Sequence, residues 1–325
     1  MNVLLTISRR LSGTSGRMAF IVAFAVSAQS LAYPVDASGQ EWLEIPVGEV
    51  RTLAGPLEAG SGGVEVDGEG NVYTADFGQH LSHGPMGTRV LRIAPDGEVS
   101  VFATGFNGAS GNTIDRQGRF TQANVAGNTV VRVLEDGTLE AVATEGLVNP
   151  VGITFDGHGN LMVANCGIHQ VARVDSSGRA EVFASSALFR CPNGLVSGPD
   201  GEFYASNFYN GDVLRIGPEG DVSVVATLPG GNLGHLIYHE GLLYVLARSA
   251  HQIYEVDVAG EYRLLAGSGE HGIQDGPALE ATLSFPNDLA LSPDGRVLYW
   301  NDVAAIVDDG GQTLAPTVIR MLRLR

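Results

Sequence analysis

Two short sequence phrases alternate along this chain, and one copy of the second phrase stands alone near the N-terminus. The first phrase reads TRVLRIAPD, NTVVRVLED, HQVARVDSS, GDVLRIGPE and HQIYEVDVA. Each copy is followed by a second phrase of the type GEVSVFATG, found at Gly97–Gly105. A sixth first phrase, from Thr317, ends the chain without a second phrase, whereas an isolated second phrase occupies Gly48–Gly55. The two ends complement each other, which predicts a closed ring of six units.

Each unit contains four short runs in which apolar and polar residues alternate. The unit that begins at Gly152 reads GITFD, NLMVAN, HQVARVD and RAEVFAS, with turns rich in Gly, Asp and Ser between the runs. This alternation is typical of β-strands, and no run keeps a helical period. Four antiparallel strands in about 40 residues make one propeller blade. The first strands of the six blades are predicted to begin near Gly63, Gly111, Gly152, Gly194, Gly234 and Asp288.

The repeat therefore predicts an all-β fold, a six-bladed β-propeller of four-stranded antiparallel blades covering residues 33–325. If the strands of a blade are lettered a to d, the chain begins with strand d of the last blade and ends with its strand c. Pairing of these two strands closes the ring and removes the open sheet edge. The repeated Asp-Gly pairs are assigned to hairpin turns, because they lack the ligand spacing of calcium loops.

Residues 1–32 have the pattern of a secretory signal peptide. Arg9, Arg10 and Arg17 precede an apolar run at Met18–Ala28, and small residues allow cleavage after Ala28 or Ala32. The apolar run is short for a membrane span, although an uncleaved anchor is the competing interpretation. We therefore expect an exported protein, periplasmic or extracellular, with no stable membrane span after cleavage.

The charge of the chain excludes several kinds of partner and chemistry. The formal net charge is −17, and removal of the leader with its three Arg changes it by three units to −20. Such an acidic surface disfavours nucleic acid and anionic membranes as partners. The 19 basic residues are all Arg, so Schiff-base chemistry through Lys is excluded. We expect a monomer that binds a small molecule, a glycan or a protein.

Two sets of positions are predicted to face the channel along the propeller axis. The first set directly precedes strand a: Gly62, Ser110, Val151, Asn193, Leu233 and Asn287. The second set lies at the end of strand b: Asp76, Asn124, Asn165, Asn207, Ala247 and Asn301, with Arg248 and Asp302 adjoining it. The polar members of both sets are candidate ligand contacts, and His235 is a further candidate. The alternative is that Asn and Asp cap strand ends by bonding to nearby backbone.

The two cysteines are predicted to lie on the same face in neighbouring blades. Cys166 ends strand b of blade three, and Cys191 precedes blade four. In an exported chain an even pair of cysteines favours a disulfide over two free thiols.

Two segments of the chain resemble known propeller families. The stretch Ala266–Asp302 resembles the NHL repeat, and PNGLVSGPDGEFYASN (Pro192–Asn207) resembles the SMP-30/gluconolactonase/LRE-like group of six-bladed propellers. That group implies lactone hydrolysis and a divalent cation at the axis, held by a Glu, two Asn and an Asp. The corresponding positions here read Gly62, Val151, Asn193 and Leu233, so only one of these ligands is retained.

Two functions follow as hypotheses. The first is an exported propeller without catalytic activity, whose channel face binds a ligand. The second is a lactone or ester hydrolase with a rearranged site for Ca²⁺ or another divalent cation. Its metal ligands would be Asn193 and Asp288, with Asn287 and Asp76 as further candidates, and Asp288 would be the candidate base. A lyase of the streptogramin-inactivating propeller type is a third alternative, based on histidines predicted on the channel face.

Overall fold

The structure is a computed structural model that describes residues 46–81, 84–304 and 313–325. The predicted leader and its cleavage sites lie outside the described residues. No α-helix occurs within the described ranges, and none of their helical segments is long and apolar enough to span a membrane. Three single 3₁₀ turns lie in loops at Cys166–Ile168, Pro199–Gly201 and Arg248–Ala250.

Six antiparallel sheets form the blades of a propeller, as the repeat predicts. Blades one to three consist of β2 (Val64–Val66), β3 (Val72–Ala75), β4 (Arg89–Ile93) and β5 (Val99–Thr104); β6 (Ala109–Ile114), β7 (Phe120–Asn124), β8 (Thr129–Val133) and β9 (Leu139–Ala143); β10 (Pro150–Phe155), β11 (Leu161–Asn165), β12 (Gln170–Val174) and β13 (Ala180–Ser185). Blades four and five consist of β14 (Pro192–Ser197), β15 (Phe203–Asn207), β16 (Asp212–Ile216) and β17 (Val222–Thr227); β18 (Leu236–His239), β19 (Leu242–Ala247), β20 (Gln252–Asp257) and β21 (Tyr262–Ala266).

Blade six joins the two ends of the chain, and this confirms the predicted closure. It consists of β23 (Leu289–Leu291), β24 (Val297–Val303), β25 (Thr317–Arg323) and β1 (Glu49–Leu57). The strand β1 pairs antiparallel with β25, with Val50 opposite Leu322. A two-residue strand, β22 (Gly276–Pro277), extends this sheet on the outer side of β1.

The hydrophobic core lies between the faces of neighbouring blades. Alternate residues of the strands pack against the next sheet, which gives six apolar clusters around the ring. The cluster between blades five and six contains the fully buried Trp300 and Leu246 together with Val50 of β1. Because Val50 comes from the N-terminal strand, closure of the ring also completes part of the core.

An Asp-Gly hairpin turn illustrates why the repeated aspartates belong to turns. Asp136 accepts hydrogen bonds from the Thr138 hydroxyl at 2.6 Å and the Thr138 N–H at 3.0 Å, and these bonds lower the pKa of the Asp136 carboxyl. Gly137 has a φ of 80°, a left-handed conformation that glycine adopts at low cost. The turn assignment is therefore confirmed at this position.

Small residues at the start of strand a allow the six blades to meet at the axis. A Cβ atom on Gly152 would lie 2.3 Å from the carbonyl oxygen of Asn193 in the next blade, and one on Gly234 would lie 2.5 Å from that of Asn287. In blade six the corresponding residue is Asp288, which has a side chain where the other blades have only the hydrogen atom of a glycine. Its carboxylate accepts a hydrogen bond from the Val64 N–H of blade one at 3.0 Å instead.

Candidate functional site

A cavity of about 590 Å³ opens on the face where the connections into strand a and between strands b and c emerge. We call it the channel-face cavity. Its walls combine amides, hydroxyls, aromatic rings and one disulfide. Its lining residues are Ser61, Phe77, Leu81, Ser110, Val125, Asn149, Val151, Cys166, Cys191, Asn193, Phe208, Tyr209, Asn232, Arg248, Ser249, Asn287 and Leu314.

Four of the six positions predicted directly before strand a line this cavity: Ser110, Val151, Asn193 and Asn287. The other two do not. Leu233 is completely buried in the apolar cluster between blades four and five. At Gly62 the Ala109 carbonyl oxygen of blade two lies 2.2 Å from where a Cβ would stand. The repeat therefore identified the inner wall of the cavity in four blades.

The side-chain amides of Asn193 and Asn287 are oriented by the next blade. Asn193 donates its Nδ2 to the Leu233 carbonyl at 3.1 Å, and Asn287 donates its Nδ2 to the Ser61 carbonyl at 2.8 Å. Among the described residues, no donor pairs with the Oδ1 atom of either side chain. Both residues line the cavity, so these carbonyl oxygens are fixed acceptors for a ligand.

The asparagines predicted at the end of strand b form hydrogen bonds with the backbone of nearby loops and do not line this cavity. Asn165 accepts the Val148 N–H at 2.6 Å and donates to the Gly146 carbonyl at 2.9 Å. Asn207 bonds the backbone of Arg190 and Leu188 in the same way. The same pairing occurs at Asn124 with Asn107, and at Asn301 with Asp288 and Gly60. For Asn124, Asn165 and Asn207, contact with a ligand stays a prediction.

Asp76, the candidate from blade one, lies beside a cation. Its Oδ2 is 3.8 Å from the Nε of Arg89, and its side chain is not part of the cavity lining. Burial raises the pKa of the Asp76 carboxyl, and the positive charge of Arg89 opposes this rise. Asp76 thus pairs with Arg89 at the end of its strand and does not join Asn193 and Asn287 in the cavity lining.

In five of the six blades the residue after the strand-b position lines the cavity, and only one of these residues, Arg248, is predicted from the sequence as a ligand contact. Successive side chains of a strand point to opposite sides. When the Asn at the strand end turns toward the preceding loop, its successor therefore turns toward the channel. This set comprises Phe77, Val125, Cys166, Phe208 and Arg248. The missed signal was thus a shift of one residue along each strand.

Cys166 and Cys191 form the predicted disulfide, with a sulfur–sulfur distance of 2.08 Å. Both residues line the channel-face cavity. His169 supports the bridge, because its Nδ1 accepts the Cys191 N–H at 2.9 Å. The disulfide therefore joins blades three and four at the wall of the candidate binding site.

Removal of the disulfide is expected to destabilise the protein without changing its fold. The bridge spans 25 residues, and closing a loop of that length contributes about 3 kcal/mol to the free energy of unfolding. A Cys166→Ala/Cys191→Ala variant should show this loss in urea unfolding. Reductant should lower the wild-type value similarly and leave the variant unchanged; equal stability of both proteins would contradict the prediction.

A second cavity, of about 320 Å³, lies along the axis between the six a strands. We call it the axial cavity. His235 and Asp288 line it, whereas Asn193 and Asn287 line the channel-face cavity. The Nδ1 atom of His235 lies 3.2 Å from Oδ2 of Asp288, and both side chains are buried. The two predicted metal ligands Asn193 and Asp288 therefore do not line one cavity.

Burial governs the ionisation of the groups in the axial cavity. It lowers the pKa of His235 to about 3 and raises the pKa of Asp288 well above its usual range, against the hydrogen bonds from Val64 and Leu289. It also raises the pKa of the half-buried Glu65 to about 7. Burial in the axial cavity therefore favours the uncharged forms of all three side chains.

Arg248 and Asp302 lie on the side of the channel face formed by blades five and six. The guanidinium of Arg248 lies 5.0 Å from the ring centre of Phe285. Both carboxylate oxygens of Asp302 accept the Ser284 N–H at 3.0 Å. Burial raises the pKa of Asp302 to about 7, and the charges of Arg320 and Arg248 oppose the rise. Arg248 thus places a positive charge in the cavity wall.

The residues of the channel-face cavity do not fit the axial cation that the family resemblance implies. No carboxylate stands among the described lining residues. Within the described ranges, no three His, Cys, Asp or Glu side chains are close enough to hold a metal ion. A hard cation such as Ca²⁺ requires several oxygen ligands, usually with carboxylates among them. Asn193 and Asn287 alone do not provide such a set.

The stability of the protein is expected to fall as the pH rises from about 5 to 7. Because the pKa of Glu65 is about 7 in the folded state and 4.5 otherwise, the folded state binds more protons in this interval. The free energy of unfolding then decreases with pH, by at most about 1.4 kcal/mol per pH unit for one group. Urea unfolding between pH 5 and 7, in buffers with chelator, measures this slope.

A Glu65→Gln variant should show a smaller slope over the same pH interval. Glu219→Gln, at an exposed turn, is the matched control and should keep the wild-type slope. A wild-type stability that is constant or rises between pH 5 and 7 would contradict the assignment.

Comparison with solved structures identifies many propellers of this architecture. A gluconolactonase from Xanthomonas campestris aligns over 85% of this chain and 89% of its own, with a TM-score of 0.64 and 18% identity. An auxiliary nutrient binding protein from Bacteroides ovatus aligns over 85% and 77%, with a TM-score of 0.66 and 13% identity. Virginiamycin B lyase from Staphylococcus aureus aligns over 85% and 99%, with a TM-score of 0.61 and 14% identity.

No protein-family model matches the sequence, and no curated protein matches it either. The solved structures share fewer than one residue in five with this chain, so they bear on its architecture and not on its chemistry. They include proteins with hydrolytic, lyase and binding roles on one scaffold. In its fold, this chain is a six-bladed β-propeller similar to gluconolactonases, streptogramin lyases and a nutrient binding protein.

Proposed function

We propose that this protein is an exported binding propeller whose channel-face cavity takes a small polyhydroxylated ligand, such as a monosaccharide or the end of a glycan. The observation that carries the proposal is the chemistry of the cavity wall. Fixed amide acceptors and hydroxyls stand beside aromatic rings, without a carboxylate among the described lining residues. Hydroxyl-rich ligands need many hydrogen bonds of this kind, together with apolar faces for their C–H groups.

The size of the cavity supports a ligand of this class. Its volume of about 590 Å³ lies within the usual range for small-molecule sites. The Oδ1 atoms of Asn193 and Asn287 are held in place by their own Nδ2 bonds, so they accept hydrogen bonds without further ordering. Such preorganisation reduces the entropic cost of binding.

Aromatic side chains support the same conclusion at the rim of the cavity. Tyr209 is 66% exposed, and its ring packs edge-to-face on Phe208 with the ring centres 5.4 Å apart. An exposed aromatic ring that is held by a second ring offers an apolar face to a sugar at little entropic cost. Both residues line the cavity beside the disulfide.

Export is supported by the leader pattern and by the disulfide between Cys166 and Cys191. Disulfides persist in oxidising compartments and are rare in the cytosol. Fractionation of the producing cells and N-terminal sequencing of the mature chain test this part of the proposal. Cleavage after Ala28 or Ala32 is expected; a cytoplasmic chain with an intact N-terminus would contradict it.

Calorimetric titration of residues 33–325 with a panel of monosaccharides, sugar acids and short glycans tests the binding proposal. We expect saturable binding of at least one of them. An Asn193→Ala/Asn287→Ala variant should weaken it by about tenfold or more, because each lost hydrogen bond costs about 1 kcal/mol. Tyr209→Ala should weaken it by a smaller factor.

Asn160→Ala is the matched control, since Asn160 lies in an exposed hairpin turn where its amide bonds Asp156. It should leave the affinity unchanged. The proposal is overturned if no member of the panel binds at millimolar concentration, or if binding is indifferent to the Asn193→Ala/Asn287→Ala change. Turnover of a sugar lactone that depends on added Ca²⁺ would favour the hydrolase hypothesis instead.

A further inference from the structure

The axial cavity contains two deeply buried polar atoms that lack hydrogen-bond partners among the described residues: Nε2 of His235 and Oδ1 of Asn112. The two side chains are 5% and 8% exposed, and both line this cavity. Buried polar atoms in proteins are nearly always hydrogen-bonded or ligated. Two such atoms in one cavity therefore require a partner that the described residues do not supply.

The imidazole of His235 extends across the axis from blade five toward blade two. A Cβ atom placed on Gly111 of blade two would lie 3.0 Å from Cε1 of His235. Cε1 is bonded to Nε2, and Asn112 follows Gly111 in the chain, with its Cγ 2.8 Å from where a Cβ atom on Gly63 of blade one would stand. The imidazole of His235 and the amide of Asn112 thus both lie on the side of the cavity formed by blades one and two.

Asp288 fixes the orientation of this imidazole. Its Oδ2 lies 3.2 Å from Nδ1 of His235, while Val64 and Leu289 donate backbone N–H groups to its two oxygens at 3.0 and 2.7 Å. With Nδ1 engaged, Nε2 is the ring nitrogen left for the cavity. A carboxylate behind one nitrogen of an imidazole is the usual support of a metal-binding histidine.

The charges around the cavity favour a cation. Its lining contains the carboxyl groups of Glu65 and Asp288, and no Arg stands among the described lining residues. A bound cation would supply the missing positive charge. The volume of about 320 Å³ accommodates an ion together with several water molecules.

We propose that the axial cavity binds one divalent first-row transition-metal ion, such as Zn²⁺ or Mn²⁺, through Nε2 of His235 and Oδ1 of Asn112, with water in the remaining positions. An imidazole nitrogen with an amide oxygen suits such ions better than Mg²⁺ or Ca²⁺. Asp288 is a positioning residue that acts through His235. Two protein ligands give moderate affinity, so the ion is expected to exchange with chelators. This site is separate from the channel-face cavity and does not depend on the proposed function.

Calorimetric titration of the chelator-treated mature chain with Zn²⁺, Mn²⁺ and Ca²⁺ tests the site. We expect one transition-metal ion per chain and weaker binding of Ca²⁺. His235→Gln and Asn112→Leu should each raise the Kd by about tenfold or more. His158→Gln, which removes an exposed histidine from a hairpin turn, is the matched control and should leave the Kd within about twofold.

Anomalous diffraction from wild-type crystals soaked in Zn²⁺ locates the ion without any variant, and so covers the case in which His235→Gln fails to fold. A peak beside Nε2 of His235 is expected. Density for water without an anomalous signal, a peak at another place alone, or an unchanged Kd in a folded His235→Gln protein would each overturn the proposal. Asn193→Ala/Asn287→Ala should bind the metal normally, which separates this site from the channel-face cavity.

Discussion

A chain that lacks residues 33–57 is expected to lose cooperative thermal unfolding. Without β1, the strand β25 has an open edge, and Val50, Ala54 and Leu57 are missing from two core clusters. Loss of each large buried side chain costs about 2–5 kcal/mol, whereas the whole stability of a domain is about 5–15 kcal/mol. Scanning calorimetry of residues 58–325 against residues 33–325 measures the effect.

A circularly permuted chain shows whether the effect comes from the lost pairing of β1 with β25 or from the removal of residues at the N-terminal side of β2. The Gly48 N–H donates to the Arg323 carbonyl at 3.0 Å, so the start of β1 lies next to the end of β25. A protein that begins at Glu58 and carries residues 46–57 after Arg325, through a short Gly-Ser linker, should therefore unfold cooperatively again. Cooperative melting of residues 58–325 within about 3 °C of the longer chain would contradict the importance of the closure.

The fold could be predicted from the sequence because the repeat determines the number of blades, the strands in each blade and the way the ring closes. The turn at Asp136, the start of strand a at Gly152 and the pairing of β1 with β25 each follow from sequence patterns that recur along the chain. Repetition also fixed the register well enough to place Ser110, Val151, Asn193 and Asn287 in the cavity wall.

The parts that the repeat could not predict lie where one blade differs from the others. His235 was expected on the channel face, but its side chain enters the axial cavity, since the residue after Gly234 points along the axis. The insertion in blade one contributes Leu81 to the channel-face cavity, and the connection between β24 and β25 contributes Leu314. Neither segment has a counterpart in the other blades, so no pattern revealed its position.

Arg320 shows the same limit in the core. The residues at the same ladder position of earlier blades, such as Leu91 and Leu214, are apolar and buried, whereas blade six places the completely buried Arg320 there. The long connection between β21 and β23 covers it. Arg320 donates to the Thr282 and Gln274 carbonyls of that connection, both at 3.1 Å. A repeat position that is apolar in the earlier blades has thus become a buried cation that anchors the connection.

Replacement of Arg320 by Met is expected to lower the free energy of unfolding by about 3–5 kcal/mol, or on the order of 10 °C in Tm for a chain of this size. The guanidinium lies 3.5 Å from Oδ2 of Asp302 and 2.9 Å from Oδ1 of Asp275. Its loss leaves two carbonyls without their donors and the buried Asp302 without its nearest cation. The pKa of Asp302 then rises further, so the loss should be larger at pH 8 than at pH 5.

Arg296→Met is the matched control for this prediction. Arg296 also pairs with a carboxylate, with its Nε 3.9 Å from Oδ2 of Asp294, but the two side chains are 66% and 41% exposed. Exposed ion pairs contribute at most about 1 kcal/mol, so this variant should be nearly as stable as wild type. Equal losses in the two variants, or an Arg320→Met loss that does not grow between pH 5 and 8, would show that the buried pair with Asp302 does not stabilise blade six. In that case the long connection is held by its backbone contacts alone, such as the Ala278 N–H to the Gly48 carbonyl.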